Sequence, residues 1–188
     1  HHTMWANTKA LEMKGLLRGK ALPPGNEIVM AADGTATGEL REAAAYSPVL
    51  AMTETGGREM LGMTTGRPPS PPASAAERTA DRDTIRKGLA TCASLGIASI
   101  QNMDGNIYQL EQLDALRGEG RLTARVTMPF HLKSTLPPKL IAEKAVSMRQ
   151  RWSDDWIKST FVKIFVDGVI DSGTAFMLED YGDLPGVK

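Results

Sequence analysis

Between Ala73 and Gly168 the chain alternates helix-like and strand-like segments three times, with short connections. Few architectures satisfy that rhythm. Ile85, Leu89, Cys92 and Leu95 fall at helical spacing behind the candidate N-caps Asp81 and Asp83, and Gly96 stands where such a helix stops. Residues 97–101 then read as a short buried strand. A second helix opens at Asn106, with Tyr108, Leu110, Leu113 and Leu116 as core contacts, and ends near Gly118 or Gly120. The segment 122–128 follows as a strand. A third helix runs from Pro137 or Pro138 to Trp152, with Leu140, Ile141, Ala145 and Met148 on one side, and leads to a strand over 161–166. Strand–helix alternation of this kind predicts an α/β fold with parallel strands centred near Ser99, Val126 and Phe165 and helices packed outside them.

The first sixty-odd residues stand outside the rhythm. They are rich in Gly, Ala, Met and Thr, and Ala31-Ala32-Asp33-Gly34 reads as a turn between two short strands. The run Arg67-Pro68-Pro69-Ser70-Pro71-Pro72 is incompatible with helix and reads as a connection. The expected division is therefore residues 1–72 as an insertion or lid subdomain with its Pro-rich connection, and residues 73–188 as the regular part. The chain opens on His1-His2 without an initiator Met or signal peptide and closes soon after a strand pattern. It is read as an internal piece of a longer polypeptide.

Composition narrows the functional classes. Lys+Arg and Asp+Glu are both 22, so the net charge is zero and the chain carries no electrostatic footprint for nucleic acid or anionic lipid. Apolar runs are too short to span a membrane. The single cysteine, Cys92, rules out an intrachain disulfide framework or a multi-thiolate zinc site, and it reads as buried packing. A small-molecule partner is expected, with no nucleic acid and no membrane. A cytoplasmic location and a homodimer are compatible with these features.

Parallel strands present ligands at their C-terminal ends. Those ends are Gln101-Asn102-Met103-Asp104, Met128-Pro129-Phe130-His131 and Val166-Asp167-Gly168. Lys163 lies in the apolar run Phe161-Val162-Lys163-Ile164-Phe165-Val166, where two-residue alternation puts Lys163, Phe165 and Asp167 on one face. An ammonium there is costly unless paired or deprotonated.

Three segments carry a resemblance. They are His2-Thr3-Met4-Trp5-Ala6-Asn7-Thr8-Lys9-Ala10-Leu11; Asp33-Gly34-Thr35-Ala36-Thr37-Gly38-Glu39-Leu40-Arg41-Glu42; and Lys163-Ile164-Phe165-Val166-Asp167-Gly168 with Gly173-Thr174-Ala175. The first is similar to the pattern His-x-x-Trp-x-Asn-Ser/Thr-x-Ala-Leu. The second is similar to Gly-x-Pro-Thr-Gly-x-Leu-x-Glu, with Ala36 in place of Pro. Together they resemble the metal-dependent amidohydrolase superfamily, in the branch called amidohydrolase family 3, which includes N-substituted formamide deformylase-like proteins.

The resemblance implies a (β/α)8 TIM barrel, of which this chain would hold about strands two to four after an inserted subdomain. It implies one or two divalent metal ions, zinc foremost, and hydrolysis of a non-peptide C–N bond by activated water. Family ligands are a His-x-His on strand one, a carboxylated lysine on strand four, histidines on strands five and six, and an aspartate on strand eight. Only the lysine position falls within this chain, at Lys163, as a metal ligand. No residue of the chain is assigned a catalytic role, and the 188-residue chain alone is expected to be inactive.

Four residues are candidate substrate contacts. His2 stands three before Trp5 as in the signature, although beside His1 it also reads as a tag remnant. His131 and Asp104, with Asn102, follow strands, where solvated loop residues are the commoner case. Asp167 either serves the site or starts the Asp167-Gly168 turn. Trp5 and Asn7 read as packing and turn hydrogen bonding. Two alternatives stand beside the main reading: a barrel hydrolase of other bond specificity, and a catalytically silent truncated module with a structural or interaction role.

Overall fold

In the computed structural model, which describes residues 2–58, 69–105, 107–132, 137–170 and 173–182, the helix–strand rhythm becomes a set of parallel pairings. The chain divides into two units, residues 1–56 with 166–188 and residues 57–165. The protein is a mixed α/β chain.

The first unit is built on an antiparallel sheet of β1 (Thr3–Trp5), β2 (Glu27–Met30) and β3 (Ala36–Arg41) in the order β1-β3-β2. The expected turn at residues 31–34 does join β2 to β3, closed by Ala31 N–H donating to Thr35 O at 2.7 Å. Two helices, α1 (Thr8–Met13) and α2 (Ala43–Leu50), belong to this unit. Its core gathers Leu11, Leu16, Ile28, Leu40, Ala45 and Tyr46. Trp5, expected to pack, is instead 70% exposed, because Thr3 and Trp5 alternate with Met4 onto the solvent face of β1.

The second unit opens with the longest helix, α3 (Ala75–Ser94). Asp81 and Asp83 do not cap it. Ser74 does, in a capping box: its Oγ accepts from Glu77 N–H at 3.2 Å while Glu77 Oε2 accepts from Ser74 N–H at 2.8 Å. The true start lies seven residues upstream of Asp81, because a reciprocal cap satisfies two orphan donors where an isolated Asp satisfies one. Gly96 follows the helix at φ 75° and ends it as expected.

The strands of this unit are β4 (Ser99–Gln101), β5 (Arg125–Thr127), β6 (Phe130–Leu132), β7 (Ile157–Lys158) and β8 (Val162–Ile164), with α4 (Ile107–Gly118) and α5 (Pro138–Arg151) between them. All pairings among them are parallel: β4 with β5, β5 with β7, and β6 with β8. All three expected strands are shorter than expected, the third ending at Ile164 before its expected centre Phe165, and β6 and β7 are additional strands. Donors at every second residue of 126–130 reach Trp156 O, Lys158 O and Phe161 O, so the irregularity is one extra residue on the partner side, at 159–160 between β7 and β8. The ladder resumes with Phe130 N–H donating to Phe161 O at 3.0 Å. Across that residue the register moves by one, from Val126↔Ile157 to Phe130↔Val162.

Leu89, Leu110, Leu113, Leu116, Val126, Met128, Phe130, Met148, Trp152 and Ile157 form one core. Tyr108, Leu110, Leu113 and Leu116 are buried as expected, whereas Asn106 lies outside the described residues. Helical spacing identified the inner face of α3 but not how far it is covered. The buried stripe reaches Leu89, Cys92 is half-buried, and Leu95 is 72% exposed. Among the described residues no helix is long and apolar enough to cross a membrane.

Candidate functional site

The register shift decides what meets Lys163. In β6 and β8, His131 and Lys163 are direct partners, and paired residues of neighbouring parallel strands project to the same face. His131 is thus a strand residue with a fully buried side chain, not a solvated loop histidine. The loop after β4 supplies the third member. Asp104 Oδ1 accepts from Lys163 Nζ at 2.8 Å and lies 3.5 Å from His131 Nε2.

Phe165 closes the cluster on one side. Its ring centroid is 4.1 Å from Lys163 Nζ, a cation–π approach, and 5.0 Å from the His131 ring in an edge-on arrangement. The Lys163 side chain is only 18% exposed, so its charge is held mainly by the carboxylate and the ring face. Burial pushes the Asp104 carboxyl up. The Lys163 hydrogen bond and charge outweigh this and leave it below the ordinary aspartate range.

The loop carrying Asp104 is tied down at several points. Asn102 N–H donates to Thr127 O at 2.9 Å, and Asn102 Oδ1 accepts from Asp104 N–H at 3.0 Å. Asn102 Nδ2 donates to Gln109 Oε1 at 3.3 Å. His131 Nε2 lies 3.1 Å from Met103 O. Gly105 passes so close to the core that a Cβ there would sit 1.9 Å from Met128 Sδ. Asn102, one of the strand-end candidates, thus acts on Asp104 through an Asx turn.

His2 and Asp167 belong to the other unit. His2 Nδ1 is 2.9 Å from Glu42 Oε1, a bond that joins the first and second signature segments through the Thr3↔Arg41 register. Asn7 caps α1, its Oδ1 accepting from Ala10 N–H at 2.9 Å. Gly38 has φ 107°, and a Cβ on it would lie 2.6 Å from Ala6 O, so only glycine fits there. Ala36 departs from the family proline at a place where its N–H donates to Leu17 O at 2.8 Å. Asp167 Oδ2 accepts from Phe176 N–H at 3.0 Å, and a Cβ on Gly168 would fall 2.0 Å from Thr174 Oγ1. Close backbone approach therefore accounts for Gly38 and Gly168 in their motifs.

One polar cluster escaped sequence reading. Arg58 holds Asp81 with two bonds, Nε to Oδ2 at 2.6 Å and Nη2 to Oδ1 at 2.7 Å, and Tyr108 Oη donates to Asp81 Oδ2 at 2.6 Å. Only an aspartate at a core-facing helical position hinted at it. The group is structural: it fixes residues at the start of this unit to α3 and α4.

Among the described residues no three His, Cys, Asp or Glu side chains gather as a metal site. The cluster around Lys163 combines one carboxylate, one imidazole and the lysine itself. Comparison with known proteins bears on what such a set is for. A model of the amidohydrolase family matches residues 1–188. The chain belongs to that family. No curated protein and no solved structure gives a significant match. As an amidohydrolase family domain it carries the family's hydrolase character towards C–N bonds, and members of the family generally use divalent metals.

Proposed function

We propose that this amidohydrolase chain is part of a metal-dependent enzyme that cleaves a non-peptide C–N bond, of amide or formamide type, in a small molecule. The reading places strands two to four of a (β/α)8 barrel in residues 73–188, with Lys163 as the carboxylated lysine. The observation that carries it is the meeting of Lys163, Asp104 and His131 at 2.8 and 3.5 Å beside parallel strands of a family member.

The cluster as it stands is neutral and would suit a divalent cation only with Lys163 carboxylated. As the ammonium, Lys163 balances Asp104 one to one. As a carbamate it would be an anion beside a carboxylate and an imidazole, an oxygen- and nitrogen-rich set that a hard or borderline dication satisfies. When bound, such an ion, zinc foremost, activates water and polarises the scissile carbonyl. The histidines of the sequence stand at 1, 2 and 131, and this reading takes the family's His-x-His to lie outside these residues. In this reading Phe165 keeps bulk water from one side of Lys163, His131 and Asp104 border the substrate, and the cell compartment is the cytoplasm.

Replacing Lys163 tests the proposal. In the full-length protein, Lys163→Ala should remove most turnover on N-substituted formamides or amides, together with part of the bound metal. Added short-chain carboxylic acids should restore some activity by supplying the lost oxygens. Wild-type turnover and wild-type metal content in Lys163→Ala would overturn it.

A further inference from the structure

A buried hydroxyl of the second unit has no hydrogen bond, and it stands where the strand ladder is irregular. Ser159 is 3% exposed, and its Oγ finds no partner. Its backbone is committed, with Ser159 N–H donating to Trp152 O at 2.7 Å. A buried polar atom left unpaired is costly and uncommon in a folded chain. Ser159 sits at the extra residue between β7 and β8, the kind of irregularity that re-aims side chains.

Ser159 lines a recess of about 170 Å³ between α5 and the segment that enters β8. Ala145, Val146 and Arg149 form the helical wall, and Thr160, Phe161 and Val162 continue the other. Val162 and Lys163 are successive strand residues and face opposite sides, so the recess lies on the side away from the Lys163 cluster. Two arginines occupy the last turn of α5. Arg151 is engaged, 3.6 Å from Glu111 Oε1 and with its guanidinium 4.3 Å from the Trp152 ring centroid. Arg149 lines the recess and, among the described residues, has no carboxylate partner.

These surroundings define a ligand. A guanidinium with the Ser159 and Thr160 hydroxyls suits a singly charged oxyanion, which arginine grips through two parallel N–H donors. The remaining walls are apolar, so the rest of the ligand is apolar too, and a dianion such as phosphate would lose hydration against them. Volume sets the size, since an apolar cavity of about 150 Å³ holds one benzene. We infer that the recess between α5 and β8 binds a small monocarboxylate whose apolar body is about as large as a benzene ring, its carboxylate held by Arg149 and the Ser159 hydroxyl. The inference is independent of the carboxylated-lysine reading.

The test titrates the full-length protein with benzoate and follows the methyl signals of Ala145, Val146 and Val162 by NMR. Those signals should shift and saturate at millimolar benzoate. Benzyl alcohol, alike in size but uncharged, should bind at least about tenfold more weakly. Arg149→Met keeps an apolar stem at an exposed position and should weaken benzoate about tenfold or more. Ser159→Ala should weaken it about threefold or more, and without benzoate should melt no lower than wild type, because it removes an unpaired buried hydroxyl. Val146→Trp, at a half-exposed position, fills the recess and should abolish binding; thermal melts report the folding of each variant. Absence of saturable shifts at the three methyls overturns the inference and leaves the recess to water. Equal affinity for benzyl alcohol overturns the carboxylate assignment, and wild-type affinity in Arg149→Met overturns the site.

Discussion

Glu42 adopts φ 63° and ψ 167°, a region that is essentially glycine's alone and costs any other residue about 1–3 kcal/mol. Its side chain makes no capping bond to α2. Its one strong tie is the 2.9 Å contact to His2 Nδ1, worth about 0.5–1.5 kcal/mol. Two substitutions separate these effects. Glu42→Ala loses the His2 contact and retains the strain, so it should destabilise the protein by about 0.5–1.5 kcal/mol. Glu42→Gly loses the same contact but relieves the strain, at a backbone-entropy cost of about 0.5–1 kcal/mol. The His2 term cancels between the variants. Glycine should then be the more stable of the two by roughly 1 kcal/mol, the reverse of the usual order. Urea denaturation followed by far-UV circular dichroism reads the difference directly from the two midpoints. If Glu42→Ala unfolds at the same or higher urea concentration than Glu42→Gly, position 42 stores no strain and the argument fails.

Gly88 lies inside α3, where a Cβ would meet nothing within 4 Å, so Gly88→Ala should stabilise by about 1 kcal/mol in the same urea assay. Gly105→Ala should do the opposite, losing about 1–3 kcal/mol because buried Met128 cannot clear the new methyl without repacking. The Asp81 carboxyl is pushed up by burial, but the Arg58 and Tyr108 hydrogen bonds bring it below the ordinary range. The stability it contributes is complete above the unfolded value of about 3.9 and is lost as pH falls below that, a dependence that urea midpoints on wild type and Asp81→Asn should separate. Burial first, and the Asp81 bond second, raise the Tyr108 phenol to about 12. Its contribution is therefore full below about pH 10 and lost as pH rises through the folded value; Tyr108→Phe should abolish that alkaline limb and cost about 1.5–3 kcal/mol at neutral pH.

Much of the architecture was legible because it is written in local periods. Four leucine and tyrosine positions at helical spacing, Tyr108, Leu110, Leu113 and Leu116, became the buried face of α4. Gly96 stopped α3, and residues 31–34 turned between two strands. Local chemistry misled where two local signals competed: Asp81 looks like a cap, and Ser74 with Glu77 is a better one. The glycines at 38 and 168 were visible only as motif letters. Their reason, a backbone or side chain within 3 Å of the missing Cβ, exists only in three dimensions.

The sequence by itself determined the alternation of helices and strands, the placing of Lys163 within an apolar strand, and the presence of Asp104 just beyond a strand end. Those depend on neighbours a few residues apart. Tertiary structure alone decided that Lys163 faces His131 and holds Asp104, 59 residues away. A parallel pair has no turn to set its register, and the register here moves by one residue at the extra residue between β7 and β8. One residue is half the side-chain period of a strand, so that step determines which face Lys163 shares with its partners.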